Sequence, residues 1–386
     1  MSCLGTIDNA KDAFLVQNPR STNPVQRSMP HDQHTGPARR ILALKFALAF
    51  ALLALVIVLN RDQIRDVLSR RPRVSHFALG FGYYIAGMLL AFIRWSFYVR
   101  ALGIPFKIRD GLRLGFIANL FNFVVPGGPV GGDVVRAAFL CREQKRWKTQ
   151  AIASVVLDRL VGLLGLFLLA CGAGTLAWSS LDPRTRGLVG TVWAVVAVVT
   201  LILSVAFSPA LYRPLARRFA ERKRLARRLN ELIATGTAYR ERFGVVVAGL
   251  AMAMVTHSLN ILAFFEASRA IFTTVPSLAE HFLIVPLVLF TTAIPLPFGA
   301  LGLSEGISAH LFGLAAYPGG AVAMMSFRVV QYTTATISAI VFVANRRQVR
   351  SLAEAAEQLE EDTPSAPVPS RRDGEFPRGI GDRGLG

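Results

Sequence analysis

The chain has 386 residues, 53% of them hydrophobic and 17% charged, with a formal charge of +19. That is more apolar material than one soluble core needs, which excludes an ordinary water-soluble domain and implies a multi-pass membrane protein. The basic excess does not imply nucleic acid as a partner, because Lys and Arg fall mostly between apolar runs, where they hold loops on the cytoplasmic side.

Residues 1–38 are polar and lack the apolar core and cleavage site of a signal peptide, so a disordered cytoplasmic segment is expected there. A transmembrane domain follows over 39–345, and a largely disordered cytoplasmic tail, rich in Pro, Gly and Arg towards its end, over 346–386. A spanning helix needs roughly 20 mostly apolar residues. Six stretches meet that requirement: 41–59, 76–98, 150–178, 187–208, 243–265 and 321–344. Residues 111–135 and 281–315 are also apolar but are interrupted by "PGGPVGG" and "PLPFGALGLSEG". Backbone groups unpaired at such breaks cannot face lipid, so both segments are expected to be re-entrant hairpins enclosed by protein or lining a wet cavity. The fold class expected is therefore all-α and polytopic, with about six spans plus two hairpins.

The basic loop 209–242 and the C-terminal "NRRQVR" are expected in the cytoplasm, and the weakly basic 179–186 and 266–280 outside. On that frame the N- and C-termini are cytoplasmic. The loop 60–75 resists it: placed outside by the count of spans, it carries five arginines against two aspartates. The hairpins then enter from opposite faces, the first from the cytoplasm. Span 76–98, the break at Pro126 and span 150–178 match span 243–265, the break at Pro297 and span 321–344. Such an inverted repeat with interrupted segments points to a binding site near the membrane midplane.

In the first break Gly131 and Gly132 permit close backbone approach, and Pro126 forbids a continuing helix. Asp133 and Arg136 stand three apart and share one face of the helix that follows. Two readings are open: Asp133 caps that helix while Arg136 snorkels to the interface, or exposed amides and Arg136 bind an anionic headgroup at a helix N-terminus. Asn119, in the entering arm, is placed to hydrogen-bond the broken backbone. In the second break Pro297, Gly299 and Gly302 play the same part, Glu305 stands where Asp133 stood, and Ser304 reads as an N-cap.

Asp158, Arg159 and Arg328 fall eight to ten residues inside spans, roughly 12 Å from the entry face, where a lone charge costs at least about 2.5–3.5 kcal/mol. Asp158 and Arg159 either neutralise each other or serve a ligand. Arg328 has no acidic neighbour and needs a partner from another segment, Glu305 being the nearest carboxylate behind it. Arg94 and Arg100 read as interfacial anchors closing the second span. His257, Asn260 and His281 read as helix-to-helix hydrogen-bonding residues.

Cys3, Cys141 and Cys171 share no metal-ligand or disulfide spacing. No phosphate-binding loop for ATP occurs, and no Ser/His/Asp or Cys/His arrangement. Asp133 with Glu305 is the one carboxylate pair that could act as acid and base. No cofactor, no metal and no catalytic residue is expected.

Asn119, Pro126, "GGDVVR" (131–136), "LDRLVGL" (157–163), "IPLPFGALGLSEG" (294–306) and "FRVVQY" (327–332) resemble the signature of the flippase-like, lysylphosphatidylglycerol-synthase transmembrane family, over about residues 40–345. Members often carry Glu-Arg where this chain has Asp158-Arg159, a conservative departure. The resemblance implies a bundle with two re-entrant elements that translocates, or accompanies the synthesis of, modified lipids. The soluble aminoacyl-transferase domain of the synthase members needs some hundreds of residues, and about forty follow here. The sequence reading is thus a bacterial inner-membrane protein that flips or handles an anionic lipid or lipid-linked glycan, alone, as a homo-oligomer or with lipid-synthesis enzymes. Its alternatives are the membrane subunit of an enzyme in glycolipid or aminoacyl-lipid synthesis, and an ion-coupled small-solute transporter.

Overall fold

The computed structural model describes residues 72–124, 129–143, 147–181, 183–206, 208, 223–294 and 296–345, with isolated positions between 51 and 65. Every regular element among them is helical: α1 (Val74–Ala101), α2 (Ile108–Val124), α3 (Pro129–Glu143), α4 (Lys148–Leu176), α5 (Pro183–Ala206), α6 (Lys223–Glu241), α7 (Phe243–Ile271), α8 (Leu278–Thr291), α9 (Leu303–Leu314) and α10 (Gly320–Ala344). Short turns at Trp178–Ser180 and Pro297–Ala300 complete the described elements.

Helices α1, α4, α5, α7 and α10 are long and apolar enough to cross a membrane. They coincide with five of the spans expected from the sequence. The first expected span, 41–59, falls outside the described residues apart from isolated positions, and so do 1–38 and 346–386. One expected loop is corrected: the second half of 209–242 is the basic helix α6, whose apolar face packs on α4 and α7. Its Tyr239 donates a hydrogen bond to the Tyr98 carbonyl at 3.1 Å, and burial there pushes the phenol pKa well up.

Helices α1 and α7 lie antiparallel along most of their length. The Arg73 N–H donates to the Ala270 carbonyl at one end (2.8 Å), and the Tyr98 hydroxyl reaches Gly249 at the other, where a Cβ would lie 2.0 Å from it. Next to the first of these contacts, Glu266 accepts from His76 (2.6 Å) and Arg269 (3.1 Å).

The two broken segments are each a pair of helices. Proline at the first position of α3 suits the start of a helix, since its missing N–H would have no partner there. α8 ends in tight turns, the N–H groups of Thr292, Ala293 and Ile294 each returning three residues. α2 starts beside the C-terminal end of α1, where a Cβ at Gly111 would lie 1.9 Å from Ser96 Oγ. α8 starts beside the C-terminal end of α7, with His281 5.0 Å from the Phe265 ring. Because α1 and α7 are antiparallel, these two starts lie at opposite ends of the pair.

The packing is reciprocal. α2 lies against α10 and α3 returns onto α4, whereas α8 lies against α4 and α9 returns onto α10. Both breaks arrive near the middle of α10. Phe123, one residue before the end of α2, packs edge-on to Tyr332 (5.6 Å), and the Gly299 carbonyl accepts from Arg328 (3.1 Å), one turn away.

Candidate functional site

The α2–α3 break delivers Asp133 and Arg136 to α4. Their i, i+3 spacing puts both on one face, as the sequence indicated, and they grip consecutive α4 residues: Asp133 Oδ2 accepts from Arg159 Nε at 2.5 Å, and Arg136 Nη1 lies 3.6 Å from Asp158 Oδ2. Consecutive residues of a helix point roughly 100° apart, so Asp158 and Arg159 take different partners. Asp133 does not cap α3, which begins four residues earlier at Pro129. Asn119 is buried but donates to Ser338 on α10 at 3.0 Å. The broken backbone is bonded instead by Asn122, whose Oδ1 accepts from the Gly132 N–H at 3.1 Å. Gly131 and Gly132 are buried, and a Cβ at Gly132 would stand 2.4 Å from the Ala118 carbonyl oxygen, so only glycine lets α3 fold back this closely on α2. Pro126 lies outside the described residues.

Arg94 is where the sequence reading fails. Expected at the interface, it is buried, and its Nε donates to Asp158 Oδ1 at 2.8 Å. α1 runs two turns beyond Arg94 to Ala101, and the side chain turns inward to α4 instead of outward. Arg100, near that end, is exposed as expected. Asp158 thus holds two guanidiniums, and Arg136 also sits over the rings of Trp95 (5.3 Å) and Phe92 (5.6 Å). Several buried polar atoms around this cluster have no protein partner: Arg94 Nη1, Arg136 Nε, Trp95 Nε1, the Tyr98 hydroxyl and His257 Nδ1. Each costs about 1–3 kcal/mol if left unsatisfied, so this group is expensive unless something else bonds it. His257, set aside as a helix-to-helix contact, belongs here.

The second break is built differently. Phe298, Gly299 and Ala300 have φ of 54°, 65° and 57°, and Gly302 has 83°, a left-handed run that ordinary residues adopt at about 1–2 kcal/mol each. Arg328 closes over it. Its Nη1 donates to the Phe298 carbonyl at 2.8 Å and its Nη2 to the Gly299 carbonyl at 3.1 Å, while Nε and Nη2 both reach the Glu305 carboxylate. Glu305 Oε2 accepts from the Gly302 N–H at 2.7 Å, so one carboxylate caps α9 and neutralises Arg328. Gly302 is the cap residue of α9, not Ser304, whose hydroxyl accepts from Thr291 at 2.8 Å. Pro297 opens the turn.

These buried ion pairs and apolar helices define a multi-pass α-helical membrane protein that holds charge inside its bundle. The chain belongs to the family described as the lysylphosphatidylglycerol synthase TM region, whose model matches residues 41–339. It is also similar to a UPF0104 membrane protein of Methanothermobacter thermautotrophicus, 25% identical over 291 residues, covering 67% of this chain and 80% of that protein. No solved structure matches it.

Proposed function

We propose that the protein moves an anionic lipid, or a lipid-linked glycan, across the cytoplasmic membrane of a bacterium, its two broken helix pairs acting as re-entrant hairpins of an inverted repeat with both termini in the cytoplasm. The observation that carries this reading is the correspondence between the halves. In each, the helix after the break contributes a carboxylate to an arginine on the next long helix: Asp133 to Arg159, and Glu305 to Arg328. The pairs start at opposite ends of α1–α7 and meet α10 near its middle, the arrangement expected where alternating access runs through a midplane site. Both carboxylates are engaged by arginines, which speaks for binding and positioning rather than for acid-base chemistry by Asp133 and Glu305. Arginine suits a phosphate-bearing headgroup because its planar fork bonds two oxygens at once.

The experiment is reconstitution into vesicles carrying a fluorescent phosphatidylglycerol. Faster loss of inner-leaflet fluorescence to dithionite than in protein-free vesicles, with the lipid's mass unchanged, is the expected result. A new lipid species by mass spectrometry would favour the enzyme-subunit reading, and no movement with unchanged lipid would remove lipid transport.

A further inference from the structure

The Asp133–Arg159 pair and the Asp158 cluster form a graded series where α1, α3 and α4 meet. Side-chain exposure falls from 42% at Arg159 to 11% at Arg136 and 6% at Arg94. The rim is thus neutralised pairwise, whereas the inner end sets two guanidiniums against the one carboxylate of Asp158. Most of the unpartnered atoms there are N–H or O–H donors, and they need an acceptor. Gly162 keeps the α4 backbone bare beside them: a Cβ there would lie 3.4 Å from Arg94 Nη2 and 3.9 Å from both Arg94 Nη1 and His257 Nε2, in ordinary contact with each.

We propose that Arg94 and Arg136, with Tyr98 and His257 beside them, form an oxyanion site that takes the phosphate of an anionic headgroup, with Asp158 serving as the internal anion the phosphate replaces. Two arginines converging on one carboxylate already have the geometry that a phosphate group requires. Exchange of Asp158 for phosphate leaves both guanidiniums compensated in either state, while the freed Asp158 carboxylate has to take up a proton or water. The indole ring of Trp95 holds the Arg136 guanidinium by its face in either state. The lipid as the source of the phosphate rests on the function proposed above, but the oxyanion site itself does not.

The test is the melting temperature of the full chain in detergent, at matched ionic strength, with sodium chloride, inorganic phosphate, dihexanoyl-phosphatidylglycerol or dioctanoylglycerol. The expected result is a rise with phosphatidylglycerol that dioctanoylglycerol does not reproduce. A comparable rise with inorganic phosphate identifies a site open to free phosphate, and a rise with the lipid alone identifies a headgroup site. No phosphate-dependent rise, or an equal rise with dioctanoylglycerol, overturns the proposal. Asp158→Asn removes the competing anion and should tighten phosphate binding at least tenfold, whereas Arg136→Gln should abolish the shift and Arg136→Lys keep part of it. Gly162→Ala, which fits without a clash, should weaken binding several-fold while the unliganded protein melts at the same temperature or slightly higher, since alanine favours the helix. Unchanged affinity in both Asp158→Asn and Gly162→Ala would show that the cluster is only structural. A phosphate shift without lipid movement would leave this site standing and remove the transport reading; lipid movement without the shift would do the reverse.

Discussion

At the scale of single residues, Arg328 shows how one side chain can fix a backbone that its own sequence disfavours. The left-handed run Phe298–Ala300 turns two carbonyls inward, and Arg328 bonds both while Glu305 holds the arginine and caps α9. Arg328→Ala should therefore cost about 3–5 kcal/mol, the usual effect of breaking a buried pair. Adding Glu305→Gln removes the stranded charge but returns no donor to the Phe298 and Gly299 carbonyls. The double variant should thus recover only part of the loss in chemical denaturation in detergent; full recovery would show that the turn needs no clamp. That Arg328 requires a partner was legible from its apolar surroundings, and Glu305 was legible as the nearest carboxylate behind it. Arg94 was not. A single arginine near the end of an apolar run reads as an anchor, and only the approach of α4, with Asp158, shows it to be buried. That Asn122 and not Asn119 bonds the broken backbone was equally hidden, because which asparagine faces the break depends on how α2 is rotated against α3 and α10.

At the scale of elements, glycine sets how closely the helices approach. A Cβ at Gly320, in the first turn of α10, would lie 2.4 Å from the Ser308 carbonyl oxygen on α9, a backbone atom that cannot swing aside. Gly313, on α9, meets nothing within 4 Å. Gly320→Ala should destabilise by about 1–3 kcal/mol through overpacking, whereas Gly313→Ala should be neutral or slightly stabilising because alanine favours the helix. Thermal melts of the two variants check this, and equal effects would show that the α9–α10 contact does not depend on glycine at 320. The long helices were legible because each carries a continuous apolar run, and the breaks because clustered prolines and glycines disfavour a continuing helix. α6 was less so: its basic residues mark a segment between apolar runs, while its packing face emerges only where Tyr239 meets Tyr98.

At the scale of the whole molecule, the proposed transport requires the two broken helix pairs to reach the middle of the membrane from opposite faces. Spacing along the chain suggested the repeat, but the reciprocal packing of α2 on α10 and α8 on α4 depends on long-range contacts that no local pattern encodes. Which end of the bundle faces the cytoplasm is a matter of loop charge, and the arginines of 60–75 leave that signal divided. The most direct measurement is labelling by a membrane-impermeant maleimide in sealed vesicles of known orientation, on a background with Cys3, Cys141 and Cys171 replaced by serine. Val130→Cys reports on the first break and Ala293→Cys on the second, both positions being exposed and free of the positive φ that would strain a cysteine at Gly299. The account predicts that Val130→Cys is labelled from the cytoplasmic side and Ala293→Cys from the outside. Labelling of both from one face would contradict it.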